Sequence, residues 1–327
     1  MLEAPRTASI EEIPILDLSR ANTAEGRQSL ALELHHAAMN LGFFYVKGHP
    51  VTQTTIDAAF ATAKRYFSLP LADKMECLMD VRSRRGYMPM FSTKVGENSP
   101  DLKESFDFGF ELPANDPDVL AGKFMHGPNR WPEKQPWLRE TIEIYLDGVM
   151  ETSRILMRLF ALSLKADEDY FIRYFNKPMM HTRLFHYPPQ PHTSSDSEFG
   201  VAPHVDHGLI TILNQDSVGG LEVKTKSGEW VGAPYIEGSF IVNLGNLFKR
   251  WTNDYYSSTP HRVINRTDQA RFSIPTFVNL DYQTPVECMA SCRIAGEPAK
   301  YPTEFSGAII EKMLRADEAK LEEPSAS

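Results

Sequence analysis

Apolar residues recur at helical spacing in four stretches of the chain. In the first stretch, residues 23–41, Leu30, Leu34 and Ala38 fall on one face, which is the spacing of an amphipathic helix. Gly42 follows directly and is a typical helix stop. The same spacing predicts three further helices, over residues 54–67, 136–166 and 303–319.

Short apolar runs bounded by turn residues predict the strands. Two runs, 13–18 and 43–46, lie among the N-terminal helices, and the irregular stretch 81–113 has a strand-like end at 105–112. Beyond residue 180 the runs follow one another closely, at 181–187, 209–214, 221–224, 240–244, 261–265 and 271–277. Many short strands at this spacing are typical of an antiparallel sandwich or barrel. The predicted fold is mixed α/β with a mainly β core, a cupin-like jelly roll framed by helices.

Length and composition are those of an ordinary globular protein. The 327 residues are 42% hydrophobic and 24% charged, and no flexible linker interrupts them. We therefore expect a single domain, 1–327. Its parts are a helical N-terminal region with support strands (1–180), a β core (181–285), and a C-terminal helix and tail (286–327).

The net charge and the number of cysteines indicate which kinds of binding partner and which cellular compartment to expect. A net charge of −9 offers no basic stripe for nucleic acid. The chain contains three cysteines, which are too few for a disulfide framework and cannot all pair because their number is odd. No apolar run approaches a membrane span, and the N-terminus lacks the apolar segment of a secretion signal. These features predict a cytoplasmic protein that acts on a small molecule, without nucleic-acid or membrane partners.

Candidate chemistry is concentrated in His204, Asp206, His261 and Arg271. Two imidazoles and one carboxylate are the ligand set of the facial triad that binds non-haem Fe(II) and leaves coordination positions open. Residues two apart point to the same face of a strand, so His204 and Asp206 suit a strand or its end. His261 must then come from a neighbouring strand. Arg271 would be costly to bury without an anion, because its guanidinium is always charged.

An ordered series of motifs accompanies these residues and carries a family resemblance. It comprises Gly42-Phe43-Phe44-Tyr45-Val46, Asp101-Leu102-Lys103-Glu104-Ser105, Tyr187-Pro188-Pro189, His204-Val205-Asp206-His207-Gly208, Ser258-Thr259-Pro260-His261-Arg262-Val263 and Arg271-Phe272-Ser273. With these motifs the chain resembles the isopenicillin N synthase-like group of Fe(II)/2-oxoglutarate-dependent dioxygenases. The resemblance runs along most of its length.

The resemblance implies a distorted double-stranded β-helix with iron at its open end. By motif position, His204, Asp206 and His261 correspond to the iron ligands. Arg271 and Ser273 correspond to the residues that bind the distal carboxylate of 2-oxoglutarate, and Tyr187 to a further contact with it.

The same resemblance implies Fe(II), 2-oxoglutarate and O2 as cofactor and co-substrates, with succinate and CO2 as co-products. The reaction would hydroxylate, desaturate or cyclise an unactivated C–H of a small organic metabolite, as in secondary metabolism. One departure concerns Phe185, which stands where many plant relatives carry an asparagine.

The segment 82–94 is the predicted substrate lid, because in relatives this region reaches over the mouth of the barrel. Its cationic and aromatic residues, together with Phe106, are the candidate substrate contacts: Arg84, Arg85, Tyr87, Phe91 and Lys94. An arginine there would pair with a substrate carboxylate, so we expect a carboxylic or amino-acid-derived acid.

Two alternatives to this function stay open. Some relatives with the same fold use iron and O2 without 2-oxoglutarate, and they too can carry an Arg-x-Ser motif. A non-catalytic small-molecule binding module on the same scaffold is the second alternative, although such proteins usually lose a metal ligand. A hydrolytic zinc site is disfavoured because no His-Glu-x-x-His helix is present.

Overall fold

Two stacked β-sheets form the centre of the protein. The computed structural model describes residues 5–92, 101–190 and 199–322, with side chains up to residue 316 in the last helix. The strands in this part of the chain are β1 (Ile15–Asp17), β2 (Phe43–Lys47), β3 (Gly86–Met88), β4 (Glu104–Gly109), β5 (His181–Tyr187), β6 (Val201–His204), β7 (Ile210–Gln215), β8 (Leu221–Lys224), β9 (Trp230–Ala233), β10 (Phe240–Leu244), β11 (His261–Val263), β12 (Arg271–Val278), β13 (Pro285–Val286) and β14 (Glu304–Phe305).

The large sheet has the order β1-β2-β10-β7-β12-β5-β4-β3 within the described residues, and the small sheet has the order β6-β11-β8-β9. Neighbouring strands are antiparallel except β1 and β2, which are parallel. This two-sheet arrangement is a jelly-roll core, as the sequence predicts. The four N-terminal strands extend the large sheet, so the expected division at residue 180 does not separate the sheets. The single-domain organisation stays a prediction.

Alternation along the strands divides the apolar core into two layers. On β2, Phe43 and Tyr45 face the space between the sheets, whereas Phe44 and Val46 face the helices, because successive side chains of a strand point to opposite faces. Both faces are buried, which explains the nearly continuous apolar run of this strand. The predicted metal ligands share a cavity with residues of the inner layer.

Helices cover the outer face of the large sheet. They are α1 (Ala24–Asn40), α2 (Gln53–Phe67), α3 (Leu71–Met75), α4 (Pro117–Leu120), α5 (Pro136–Ser163), α6 (Asn246–Trp251) and α7 (Ser306–Glu322). The hydroxyl of Thr23 caps α1 by accepting from the Gly26 amide at 3.0 Å. Gly42 ends the helix with a φ of +67°, a conformation that favours glycine. Both α1 and α2 pack against the long α5.

Several predicted boundaries need correction. In the stretch 81–113, the predicted strand-like end at 105–112 is β4, but the part expected to be irregular also contains β3. β4 pairs with β3 on one side and with β5 on the other. β6 ends at His204, where a strand or strand end is expected, whereas β9 has no counterpart in the sequence-based prediction. The last helix begins at Ser306 rather than near residue 303. Within the described ranges, no helix combines the length and apolar character needed to cross a membrane.

Candidate metal centre and its cavity

Two histidines meet across adjacent strands of the small sheet. His204 ends β6 and His261 begins β11, and the two are paired in the antiparallel register. Their ring centroids are 4.2 Å apart. Nδ1 of each ring lies next to the carbonyl oxygen two residues earlier, at 2.9 Å from Ala202 and 3.2 Å from Thr259. A carbonyl can only accept, so Nδ1 carries the proton and Nε2 keeps a free lone pair for a metal.

Asp206 completes the group from the loop after β6. Its Oδ1 lies 3.6 Å from Nε2 of His204 and 3.7 Å from Nε2 of His261. Ligand atoms of the three residues all lie within 4.8 Å of one another, a spacing that a single ion can bridge. The prediction that the fold brings these three side chains together is confirmed.

The second oxygen of Asp206 is held by two neighbouring strands. Oδ2 accepts from the hydroxyl of Thr211 on β7 at 2.5 Å and from Nδ2 of Asn243 on β10 at 2.7 Å. These contacts fix the carboxylate so that Oδ1 points at the imidazoles. Neither Thr211 nor Asn243 is among the site residues predicted from the sequence. The available signal was a polar side chain alternating with apolar ones on an inward-facing strand.

The surroundings of His204 and Asp206 favour the protonation states that bind a metal. Burial, followed by the nearby His261, lowers the pKa of His204 to about 4. Burial opposes the ionisation of Asp206, but the two imidazoles and the bonds from Asn243 and Thr211 outweigh it and lower its pKa. Near neutral pH the site therefore holds a neutral imidazole at His204 beside a carboxylate, and these are the forms that bind divalent iron.

Arg271 lies in the same cavity as the metal group. The side chain is 0% exposed, donates from Nη1 to the Ser273 hydroxyl at 3.1 Å and from Nε to the Gly219 carbonyl, and its Cζ is 4.7 Å from the Tyr187 ring centroid. Its Nη2 is buried without a hydrogen-bond partner among the described residues. An unpaired buried cationic donor is costly, so this atom marks a place for an anionic ligand.

The cavity gathers all six residues expected at the metal and the co-substrate. Its remaining wall contains Phe185 on β5 and Pro275 and Phe277 on β12. The full lining is Phe185, Tyr187, Val201, His204, Asp206, Thr211, Leu213, Leu221, Asn243, His261, Val263, Arg271, Ser273, Pro275 and Phe277. The lining therefore combines the polar groups of the metal and anion sites with apolar side chains.

The structure does not bring the predicted lid residues to this cavity, and three of them need correction. Tyr87 and Phe106 are buried in the layer between the large sheet and the helices. The Tyr87 hydroxyl donates to Glu104 at 2.5 Å. Arg85 is 1% exposed and donates to the backbone carbonyls of Ser83 and Met125. The physical reason is strand pairing: residues 104, 106 and 108 of β4 share the helix-facing side.

The other lid residues are also away from the cavity lining or cannot be placed. Arg84 is buried in the turn before β3, and Phe91 is 59% exposed in the turn after it. Lys94 lies outside the described residues. A substrate contact by Arg84, Phe91 or Lys94 therefore stays a prediction.

Comparison with known proteins agrees with this geometry. Residues 13–134 match the family described as the N-terminal region of the non-haem dioxygenase in morphine synthesis, and residues 177–280 match the 2OG-Fe(II) oxygenase superfamily. A 2-oxoglutarate-Fe(II) type oxidoreductase of Emericella nidulans is 35% identical, over 88% of this chain and 85% of the relative. Azadirone synthase of Melia azedarach is 32% identical, over 93% of this chain and 94% of the relative.

A solved structure shares the fold of this chain. The full-length T7H of Neurospora crassa, in complex with alpha-KG (2-oxoglutarate) and thymine, superposes with a TM-score of 0.83. The two proteins are 28% identical, and the match covers 93% of this chain and 96% of T7H. By its matched families, its relatives and the geometry of its metal group, the chain belongs to the Fe(II)/2-oxoglutarate-dependent dioxygenase family.

Proposed function

We propose that this dioxygenase oxidises an unactivated C–H of a small organic metabolite, with His204, Asp206 and His261 holding Fe(II) and Arg271 holding 2-oxoglutarate. The observation that carries the proposal is Nη2 of Arg271, which has no hydrogen-bond partner within the described ranges and is buried in the cavity that also contains the metal group. A doubly charged co-substrate with one carboxylate at the guanidinium supplies the missing partner.

The side chains around Arg271 prepare the site for that carboxylate. Ser273 and the Gly219 carbonyl fix the plane of the guanidinium, leaving Nη2 to bind the incoming oxygen. Burial raises the pKa of Tyr187, so its phenol stays protonated and can donate. The turn that carries the Gly219 carbonyl requires glycine at the next position. Gly220 has a φ of +88°, and a Cβ there would lie 2.5 Å from the Ile264 carbonyl oxygen.

When bound, Fe(II) with 2-oxoglutarate and O2 supplies the oxidising chemistry and releases succinate and CO2. His204, Asp206 and His261 would hold the ion, and a set of three protein ligands would leave coordination positions for the co-substrates. The apolar wall of the cavity excludes water, and the protein orients the carbon to be oxidised. Whether the outcome is hydroxylation, desaturation or ring closure depends on the substrate's position in this cavity.

The test is to measure succinate and O2 consumption with purified Fe(II)-loaded enzyme across a panel of small metabolites. We expect O2-dependent succinate formation that one class of metabolite stimulates. Metabolite oxidation that consumes O2 without 2-oxoglutarate would instead support the 2-oxoglutarate-independent oxidase. Metabolite binding without any O2 consumption would support the non-catalytic binding module.

Three finer points belong to the same proposal. We place the substrate among carboxylic or amino-acid-derived acids, a choice supported by Lys103 and Arg183, whose charges lie against the cavity-lining ring of Phe185. A role in secondary metabolism draws support from the relative named as azadirone synthase. A reducing compartment such as the cytoplasm is consistent with three buried, unpaired thiols, Cys77, Cys288 and Cys292. Detection of the oxidised acid in cell extracts, with its loss in a deletion strain, tests the first two points.

A further inference from the structure

Two cationic side chains flank Phe185 in the wall of the metal cavity. Nζ of Lys103 lies 5.3 Å and Cζ of Arg183 lies 4.7 Å from the centroid of the Phe185 ring. Phe185 lines the cavity together with His204 and Asp206. An aromatic ring attracts cations to its face, and this attraction is stronger away from water. Both positive charges therefore lie beside the same part of the cavity wall.

Arg183 is held in place by β4. Its Nε donates to Asp107 at 3.0 Å and its Nη2 donates to the Ser105 hydroxyl at 3.1 Å. Asp107 is fully buried and also contacts Nε2 of His181 at 3.1 Å. Within the described residues Nη1 of Arg183 has no hydrogen bond. A guanidinium carries five N–H donors, so donors remain for a ligand after the side chain has been fixed.

Lys103 is held by a single buried carboxylate. Its Nζ donates to Oδ2 of Asp101 at 2.5 Å, which is its one hydrogen bond to the part of the chain that the structure describes. An ammonium has three donors, so two remain. Lys103 can therefore donate to a second oxygen without leaving Asp101.

The simpler interpretation is that Lys103–Asp101 and Arg183–Asp107 are structural ion pairs. Both carboxylates are almost fully buried and neutralise the cations. That interpretation does not explain why both cations lie against one cavity-lining ring and keep unused donors. Charge-assisted hydrogen bonds to a planar oxyanion would use those donors.

We propose that Lys103 and Arg183 form the substrate-recognition site of this dioxygenase and bind a carboxylate of the primary substrate beside Phe185. The proposal rests on the proposed function, because it places the substrate in the metal cavity. It moves the expected acid recognition from Arg84 and Arg85 to cations that adjoin the cavity lining. A neutral substrate that needs neither cation is the competing outcome.

The test compares benzoate with benzamide, which share a shape and differ in charge. Binding is measured by calorimetry under nitrogen, with protein saturated in Fe(II) and 2-oxoglutarate so that the Arg271 site is filled. We expect wild-type protein to bind benzoate about tenfold more tightly than benzamide, because hydrogen bonds to a charged group are stronger than those between neutral groups. Arg183→Gln and Lys103→Met should each remove most of that preference.

Controls separate the site from the fold and from the proposed function. Arg173→Gln removes another cation packed on an aromatic ring, 4.9 Å from Tyr170, and should keep the preference. Unchanged 2-oxoglutarate affinity shows that a variant is folded, and Arg183→Lys replaces Arg183→Gln if that variant fails to fold. Equal binding of the two probes, no benzoate binding by wild type, or a preference that survives both substitutions would overturn the proposal. Failure to bind 2-oxoglutarate or form succinate would instead count against the proposed function.

Discussion

Asn243 donates a 2.7 Å hydrogen bond to Oδ2 of Asp206, while Oδ1 of the same carboxylate faces the two imidazoles. Thr211 donates to the same Oδ2. The two oxygens of Asp206 thus have separate roles: Oδ2 accepts hydrogen bonds from the protein, and Oδ1 faces the metal site. Partners behind a metal ligand fix its orientation and tune its affinity.

Removing this support should weaken metal binding without removing a ligand. We expect Asn243→Ala to raise the Kd for Fe(II) about 10- to 100-fold, the usual range for such partners, when measured by chelator competition. Gln215→Ala is the matched control, because Gln215 is a buried amide on β7 that donates instead to the Ala233 carbonyl. An unchanged Kd in Asn243→Ala would show that the hydrogen bond has no role in metal binding.

Removing a ligand should abolish turnover. We expect His261→Ala or Asp206→Ala to lose succinate formation and bound iron while keeping the circular dichroism spectrum, because three protein ligands are needed to hold Fe(II) firmly. His207→Ala tests a neighbouring histidine that lies outside the metal group and should retain iron. Near-normal activity and iron content in Asp206→Ala would refute the triad.

Arg271→Gln should raise the apparent requirement for 2-oxoglutarate. Truncating one partner of a buried charge pair typically costs about 2–5 kcal/mol, so the KM for 2-oxoglutarate should rise steeply while iron still binds. Arg262→Gln removes a different buried arginine, which pairs with Glu222 at 2.7 Å, and serves as the control. If Arg271→Gln kept the wild-type KM, the co-substrate carboxylate would have to bind elsewhere.

Phe106 should matter for stability and not for substrate affinity. Phe106→Ala removes a fully buried ring from the helix-facing core and should lower the free energy of unfolding by about 3–5 kcal/mol. Chemical denaturation measures this change. Phe91→Ala, at an exposed ring, should change stability by less than about 0.5 kcal/mol. A Phe106→Ala protein of normal stability with a raised substrate KM would restore the lid prediction.

Protonation of His181 should destabilise the fold in acid. Burial outweighs the attraction of Asp107 and lowers the pKa of His181 from 6.5 to about 4. Between these two pH values the unfolded chain binds a proton that the folded protein does not. The contribution of His181 to stability is thus complete above about pH 6.5 and is lost as the pH falls toward 4.

His181→Gln should flatten this dependence. Comparing the free energy of unfolding of wild type and variant from pH 7 to pH 4 isolates the part due to His181, with His36→Gln on the exposed face of α1 as control. Equal slopes for wild type and His181→Gln would mean that His181 is protonated in the folded protein as readily as in the unfolded chain.

Local patterns were sufficient for the features that depend on a few neighbouring residues. The helices α1, α2 and α5 follow from apolar spacing and from Gly42, since a helix buries one face whatever it packs against. The metal group follows from residue types, because two imidazoles and one carboxylate in these motifs are the typical ligand set of a metal site. The antiparallel register then placed His204 opposite His261, as this interpretation required.

Features that depend on which strands become neighbours were decided only by the tertiary structure. The sequence predicts a lid role for Tyr87 and Phe106, yet pairing among β3, β4 and β5 turns them toward the helices. The same pairing placed Arg183 and Lys103 beside Phe185. In a strand, a shift of one residue exchanges the two faces, and the sequence does not specify which face meets the metal.

The support around Asp206 has the same origin. Thr211 and Asn243 are 32 positions apart in the chain, and the pairing of β7 with β10 places them directly opposite each other. Alone, each is a polar residue in an apolar strand. By itself the sequence determined which groups could bind iron and an anion, because that depends on side-chain chemistry. The tertiary structure decided which residues hold and surround them, because that depends on contacts between distant segments.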